Sequence, residues 1–235
     1  MFFDEHPRFY ETSETAAHRG RLNLRYEAIF AENRDIFAGA RVLDIASHDG
    51  RWSLAALKTG AAQVVGIEAR DELVLAAREN LERYAGDGRH RFVAGDVFEV
   101  LARERIEADV VLCLGYLYHT LRYNELMRRV REIGPRYLVI DTTVLPGRRG
   151  PVVRLLREPT GKQKNAVADA YSFGETNLVG WPSLPALELI VGAYGFAVER
   201  YSDWGSLLRD NPELRDVVAD YAEARRVTAR CVTVV

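Results

Sequence analysis

Short apolar runs alternate with amphipathic stretches along this chain, and that alternation predicts strands separated by helices. Val42, Leu43 and Ile45 form a run that suits a strand buried on both faces, with Asp44 set inside it. Ala46-Ser47-His48-Asp49-Gly50 suit a tight turn. Trp52, Leu54, Ala55, Ala56 and Leu57 then read as a helix that Gly60 stops. Val64-Val65-Gly66-Ile67 is a second strand, ending on Glu68, and Asp71 is placed to cap a helix running to about Tyr84. Arg91 to Ala94 is the third strand, followed by Gly95-Asp96-Val97 and a helix from Val97 to Arg103 that Asp96 can cap. Ala108 to Leu114 is apolar throughout, as a central strand would be. A helix from Glu125 to Ile133 ends at Gly134-Pro135, and Tyr137 to Ile140 is the fifth strand, ending on Asp141-Thr142-Thr143. A helix from Leu184 to Tyr194, a strand from Phe196 to Tyr201, a helix over 210–225 and a last strand from Arg230 to Val235 complete the pattern.

Three stretches stand outside it. Residues 1–13 read as irregular. Residues 14–37 read as an N-terminal helix, with Leu22, Tyr26, Ile29, Phe30 and Phe37 on one face. Residues 146–181 have weak periodicity, and a connection that long is usually a lid or binding loop. The length of 235 residues suits one α/β domain spanning 1–235.

Composition narrows the function. A net charge of -2 gives no electrostatic footprint for nucleic acid or an anionic membrane. No run of 18 apolar residues predicts a membrane span, and no basic-then-apolar leader opens the chain. Cys113 and Cys231 are isolated, which suits burial in a reducing compartment such as the cytoplasm. There is no H-E-x-x-H, no CxxC and no G-x-S-x-G, so neither a metal site nor a nucleophile elbow is expected.

The strand-loop-helix-strand unit from Arg41 to Ala69 carries the candidate chemistry. Acids near both strand ends face the crevice where α/β sheets bind ligands. Glu68 is placed to accept hydrogen bonds from a ribose diol. Asp44, inside an apolar strand, needs a donor from the backbone or a ligand. The nicotinamide fingerprint G-x-G-x-x-G fails, because Ala46, His48 and Arg51 stand at its positions. A P-loop fails too: Gly161-Lys162 is followed by Gln163. Arg19, Arg21 and Arg25 precede the first strand, and an arginine fork matches a carboxylate. His119, after the fourth strand, is the one histidine at such a strand end and could take a proton from a hydroxyl.

Asp44-Ile45-Ala46-Ser47-His48-Asp49-Gly50 resembles the first motif of the class I S-adenosylmethionine-dependent methyltransferases, an acid followed by G-x-G-x-G. Ala46 and His48 replace the first two glycines, and Gly50 is kept. The Leu117-Tyr118-His119 triplet and the run from Pro182 to Phe196 also resemble the methyltransferase domain of tRNA wobble-uridine carboxymethylating enzymes. The resemblance spans roughly residues 38–235 and implies a Rossmann-like, mostly parallel seven-stranded sheet. Helices would cover both faces and the last strand would run antiparallel. It implies S-adenosylmethionine as cofactor, held by Asp44, Ala46, Ser47, Gly50, Glu68, Ala69, Asp96, Val97 and Leu114, with Arg25 on its carboxylate. It places the transferred methyl beside the strand end that carries His119, as base, or Asp141 in its stead; the aromatic residues Tyr171, Phe173 and Trp181 of segment 146–181, with Tyr118, suggest a partly apolar acceptor.

The expectation is therefore methyl transfer to a small molecule, foremost to the hydroxyl of a phenol, sugar or other natural-product alcohol. An amine acceptor, a tRNA acceptor, or a module that binds the cofactor without reacting are the alternatives. The charge balance argues against the tRNA.

Overall fold

The computed structural model describes residues 1–12 and 19–234. Residues 14–18 of the expected N-terminal helix lie outside them. The described residues contain nine strands: β1 (Arg41–Ile45), β2 (Gln63–Glu68), β3 (His90–Ala94), β4 (Val110–Leu114), β5 (Tyr137–Thr143), β6 (Val153–Pro159), β7 (Thr176–Pro182), β8 (Phe196–Tyr201) and β9 (Arg226–Thr233). Seven of them form one sheet in the order β3-β2-β1-β4-β5-β9-β8, and β6 pairs with β7 alone. The neighbours from β3 to β5 are parallel, and β9 runs antiparallel to both β5 and β8.

Alternation along the strands sorts the core into two layers. Val42, Val64, Val110, Leu112 and Val139 face one side, against α2 (Arg34–Phe37), α3 (Arg51–Thr59) and α4 (Asp71–Tyr84). Leu43, Ile45, Val111, Cys113, Leu138 and Ile140 face the other, against α5 (Val97–Arg103), α6 (Tyr123–Ile133) and α7 (Leu184–Gly192). A smaller apolar cluster joins Leu24 of α1 (Arg19–Tyr26) to Trp204 and Leu208 of α8 (Trp204–Asp210) and Tyr221 of α9 (Ala219–Ala222). Among the described residues no helix is long and apolar enough to cross a membrane.

Four segments depart from the sequence pattern. Residues 2–10 are not irregular: two short 3-10 helices bury Phe3 and Phe9 completely, and the Phe3 amide donates to Asn23 Oδ1 at 2.8 Å. The N-terminal helix is not continuous. A π turn, Glu27–Ala31, separates α1 from α2, and the Asn33 side chain donates to the Ala28 and Ile29 carbonyls that a regular helix would use. The helix expected over 210–225 breaks into short turns and α9, because Pro212 lacks an amide and Asn211 before it leaves the helical region. Finally, β9 begins at Arg226, four residues early. Its polar positions are buried because they have partners: Arg226 and Thr228 on Asp141, and Arg230 on Asp35.

Candidate active site

One cavity of about 700 Å³ opens at the carboxyl ends of β1, β2, β3 and β4, with the β6–β7 hairpin over it. Its nucleotide end is built by the turn after β1. Ala46, His48 and Gly50 all take left-handed backbone, with φ of 54°, 56° and 80°. The two non-glycine residues thus keep the path that glycines would follow. The His48 amide donates to Glu68 Oε2 at 3.0 Å, and the Arg70 amide donates to Oε1 at 3.0 Å. Glu68 is thereby fixed at the cavity wall, with lone pairs left to accept from a diol. Asp96 caps α5, accepting from the Phe98 and Glu99 amides at 2.9 and 3.2 Å, and it lines the cavity beside Val97. Capping and ligand contact are compatible for one carboxylate. Asp71, by contrast, caps nothing: Arg70 holds that position, and Asp71 opens the first turn of α4.

Ala46, Glu68, Ala69, Asp96, Val97, Leu114, Arg25, Tyr118, His119 and Tyr171 all line this cavity. Five expected residues do not. Asp44 is buried behind the wall, with Ser53 Oγ donating to Oδ2 at 2.7 Å and Oδ1 unpartnered. Burial, reinforced by the nearby Glu68 charge, pushes its carboxyl up to about 7. Ser47 is fully buried, and its amide donates to the Ile67 carbonyl. Gly50 serves packing, since a Cβ there would lie 2.7 Å from Leu81 and 3.1 Å from Phe92. Trp181 sits near the base of the hairpin beneath Arg154, whereas the cavity is lined from the hairpin's tip.

Asp141 is the fifth, and the base role considered for it does not fit. Its carboxylate is fully buried and already receives Arg25 at 3.0 Å, Arg226 at 2.7 Å, Tyr221 Oη at 2.7 Å and Thr228 Oγ1 at 2.8 Å. Burial alone would raise its carboxyl, but Arg226 and Arg25 hold it well below the usual carboxylate range. An acid that strongly ionised is a poor proton acceptor. Asp141 instead anchors two arginines that reach the cavity.

His119 has a partner that sequence reasoning missed. Its Nδ1 lies 2.6 Å from Oε2 of Glu158, on β6, and both residues line the cavity. A carboxylate only accepts, so Nδ1 donates this bond, and in the neutral imidazole Nε2 then carries the lone pair. Glu158 lies in the weakly patterned segment 146–181, where nothing local marks it. Arg226 was missed too: it reaches Tyr118 Oη at 3.4 Å from the part of β9 that lies ahead of the expected start at Arg230.

Residues 42–134 match the family described as the methyltransferase domain. The fold is shared with solved structures of low identity. One is the 1,6-didemethyltoxoflavin-N1-methyltransferase of Burkholderia thailandensis, with bound 1,6-didemethyltoxoflavin and S-adenosylhomocysteine: 15% identity over 99% of this chain and 86% of that one, TM-score 0.63. Another is an S-adenosylmethionine-dependent methyltransferase from Mesorhizobium loti, at 13% identity over 90% and 99%, TM-score 0.60. A third is the N-terminal domain of EvdMO1 in the presence of S-adenosylhomocysteine and D-fucose, at 19% identity over 91% and 81%, TM-score 0.58. No curated protein sequence matches the chain. Residues 42–134 thus carry a methyltransferase domain, and the sheet built on them has the fold of S-adenosylmethionine-dependent methyltransferases. Its cavity suits that cofactor. A fixed carboxylate stands at the β2 tip, glycine-like backbone follows β1, and the volume exceeds what one nucleoside needs. Among the described residues no cluster of three or more histidines, cysteines or acids is set to hold a metal ion.

Proposed function

We propose that this methyltransferase acts on a hydroxyl of a small molecule, such as a phenol, a sugar or another alcohol. The observation that carries the reading is His119, held by Glu158 inside the cavity just past the tip of β4. Glu68, Ala69, Asp96 and Val97 would hold the nucleoside of S-adenosylmethionine, Ala46 and Leu114 its middle, and Arg25 its carboxylate. The cofactor supplies an already electrophilic methyl group, so the protein has only to orient the acceptor and take its proton. The Nε2 lone pair of His119 is the acceptor for that proton. Tyr118, whose ring centroid lies 4.1 Å from that of His119, and Tyr171 give the acceptor apolar walls. Structures of this fold crystallised with 1,6-didemethyltoxoflavin or in the presence of D-fucose support a small acceptor. The test is a methyl-transfer screen over phenols, sugars and amines, with His119→Ala beside the wild type. Loss of about 10²–10⁴-fold for hydroxyl acceptors, with cofactor affinity kept, is expected. Turnover of amines alone, unaffected by the substitution, would replace this reading with N-methylation.

A second reading has one observation in its favour. Between residues 148 and 164 the chain exposes Arg148, Arg149, Arg154, Arg157, Lys162 and Lys164, against Glu158 alone among acids. Net charge hides this local excess, which lies on the hairpin above the cavity and suits an RNA acceptor. A short RNA hairpin that binds with a steep inverse salt dependence would favour it. Absent binding at low salt would remove it.

A further inference from the structure

Glu158 is 39 residues from His119 in sequence, on an element inserted between β5 and α7. On β6 it shares a face with Leu156, opposite Asn177 and Val179 of β7. Leu155 and Arg157 point the other way and are exposed. The carboxylate therefore faces inward by strand alternation. Both partners are mostly shielded, at 10% and 17% side-chain exposure. A shielded carboxylate is costly unless its hydrogen bonds are matched, and the imidazole supplies the match.

The rest of the hairpin is seated by arginines of the sheet domain. Arg70 donates to the carbonyls of Thr160, Lys162 and Asn165 at 2.9, 2.9 and 3.2 Å. Arg122 reaches Asp169 at 3.0 Å. The backbone of Arg70 also holds Glu68, so the hairpin's seat and the ribose-facing carboxylate share one residue.

We propose that Glu158 is the positioning residue for His119, and that the hairpin delivers it, so the base is complete only when the cap is seated. This rests on His119 being the base for a hydroxyl acceptor. In that step the hydroxyl oxygen bonds the methyl carbon while the carbon–sulfur pair returns to sulfur. The hydroxyl proton passes to Nε2. The positive charge lost from sulfur reappears on the imidazolium, against the Glu158 carboxylate.

The test combines NMR of the imidazole nitrogens, with S-adenosylhomocysteine bound, and kinetics on an acceptor from the screen. Wild-type His119 should carry its hydrogen on Nδ1, and Glu158→Ala should move it to Nε2, the position free imidazole prefers. Glu158→Gln keeps an acceptor oxygen and should keep the tautomer, yet lose the charge. Both variants should lower kcat by about 10–100-fold, no more than the smallest share of a general base, because the imidazole itself stays in place. Acceptor KM and cofactor affinity should hold, and Glu158→Asp should recover part of the rate. If Glu158→Ala keeps tautomer and kcat while His119→Ala is slow, the positioning role is wrong. If Glu158→Ala instead loses cofactor binding or folding, the contact is structural and the proposal falls. If His119→Ala itself is unimpaired, the base reading fails first.

Discussion

Ala46 and His48 occupy the left-handed region, where glycine is the usual resident. Each costs roughly 1–2 kcal/mol as an L-residue, while a glycine would cost about 0.5–1 kcal/mol more in unfolded-chain entropy. Ala46→Gly should therefore stabilise the fold by up to about 1 kcal/mol and leave cofactor affinity nearly unchanged, as thermal melts and titration calorimetry can check. His48 offsets part of its strain locally: its Nδ1 accepts from the Asp49 amide at 3.0 Å. Motif matching counts the lost glycines, but the backbone path they mark survives without them. Glu68 is the residue where loss should be felt. Glu68→Ala is expected to weaken S-adenosylmethionine binding by about 1.5–3 kcal/mol, the range for hydrogen bonds to a charged group. Because Glu68 also holds two backbone amides, Glu68→Gln should accompany it, and unchanged affinity in both would remove Glu68 from the nucleoside site.

The elements most legible in the sequence were those whose pattern is local. β1, β2, β4 and β5 are buried on both faces, so apolar runs mark them without any knowledge of their neighbours. β9 and the hairpin were harder, because their stability comes from partners far along the chain. Thr228, opposite Asp141, and Arg226, two residues along, are tolerable in a buried strand because both bond that carboxylate, and the sequence does not display that pairing. Glu158 is invisible for the same reason. The segment 146–181, expected to be a lid, holds most of the two-stranded hairpin β6–β7. Its tip is held by polar contacts from Arg70 and Arg122, whereas its base is packed through buried Val179 and the Tyr123 hydroxyl on the Gly180 carbonyl, so opening would start at the tip. Amides of β6 and β7 should exchange faster without ligand than with cofactor and acceptor bound. Equal exchange in both states would mean a fixed roof rather than a lid.

At the scale of the whole molecule, buried acids set opposite trends of stability with pH. Asp141 and Asp49 are fully buried, and burial would raise both. Arg226 with Arg25 on the first, and Arg51 on the second, instead hold them well below the usual range. Groups depressed in the folded state stabilise it above their ordinary value of 3.8, and that contribution is lost as pH falls below it. Asp44 does the reverse. Its carboxyl is raised from 3.8 to about 7, so the folded state binds a proton that the unfolded chain has released across that window. Its contribution is complete below 3.8 and fades as pH climbs to about 7, by an amount of order 4 kcal/mol. The cofactor-free protein should therefore be most stable in mildly acidic solution, not at neutrality. Urea melts at intervals from pH 4 to 8 would trace the decline. Asp44→Asn keeps an acceptor for Ser53 and removes the titrating group, so its stability should fall less steeply than the wild type's from pH 4 to 7, the remaining slope coming from Asp96 and Glu32, which burial also raises. A wild-type curve that rises through this window, or a variant with the same slope as the wild type, would show that Asp44 is ionised without penalty in the folded protein.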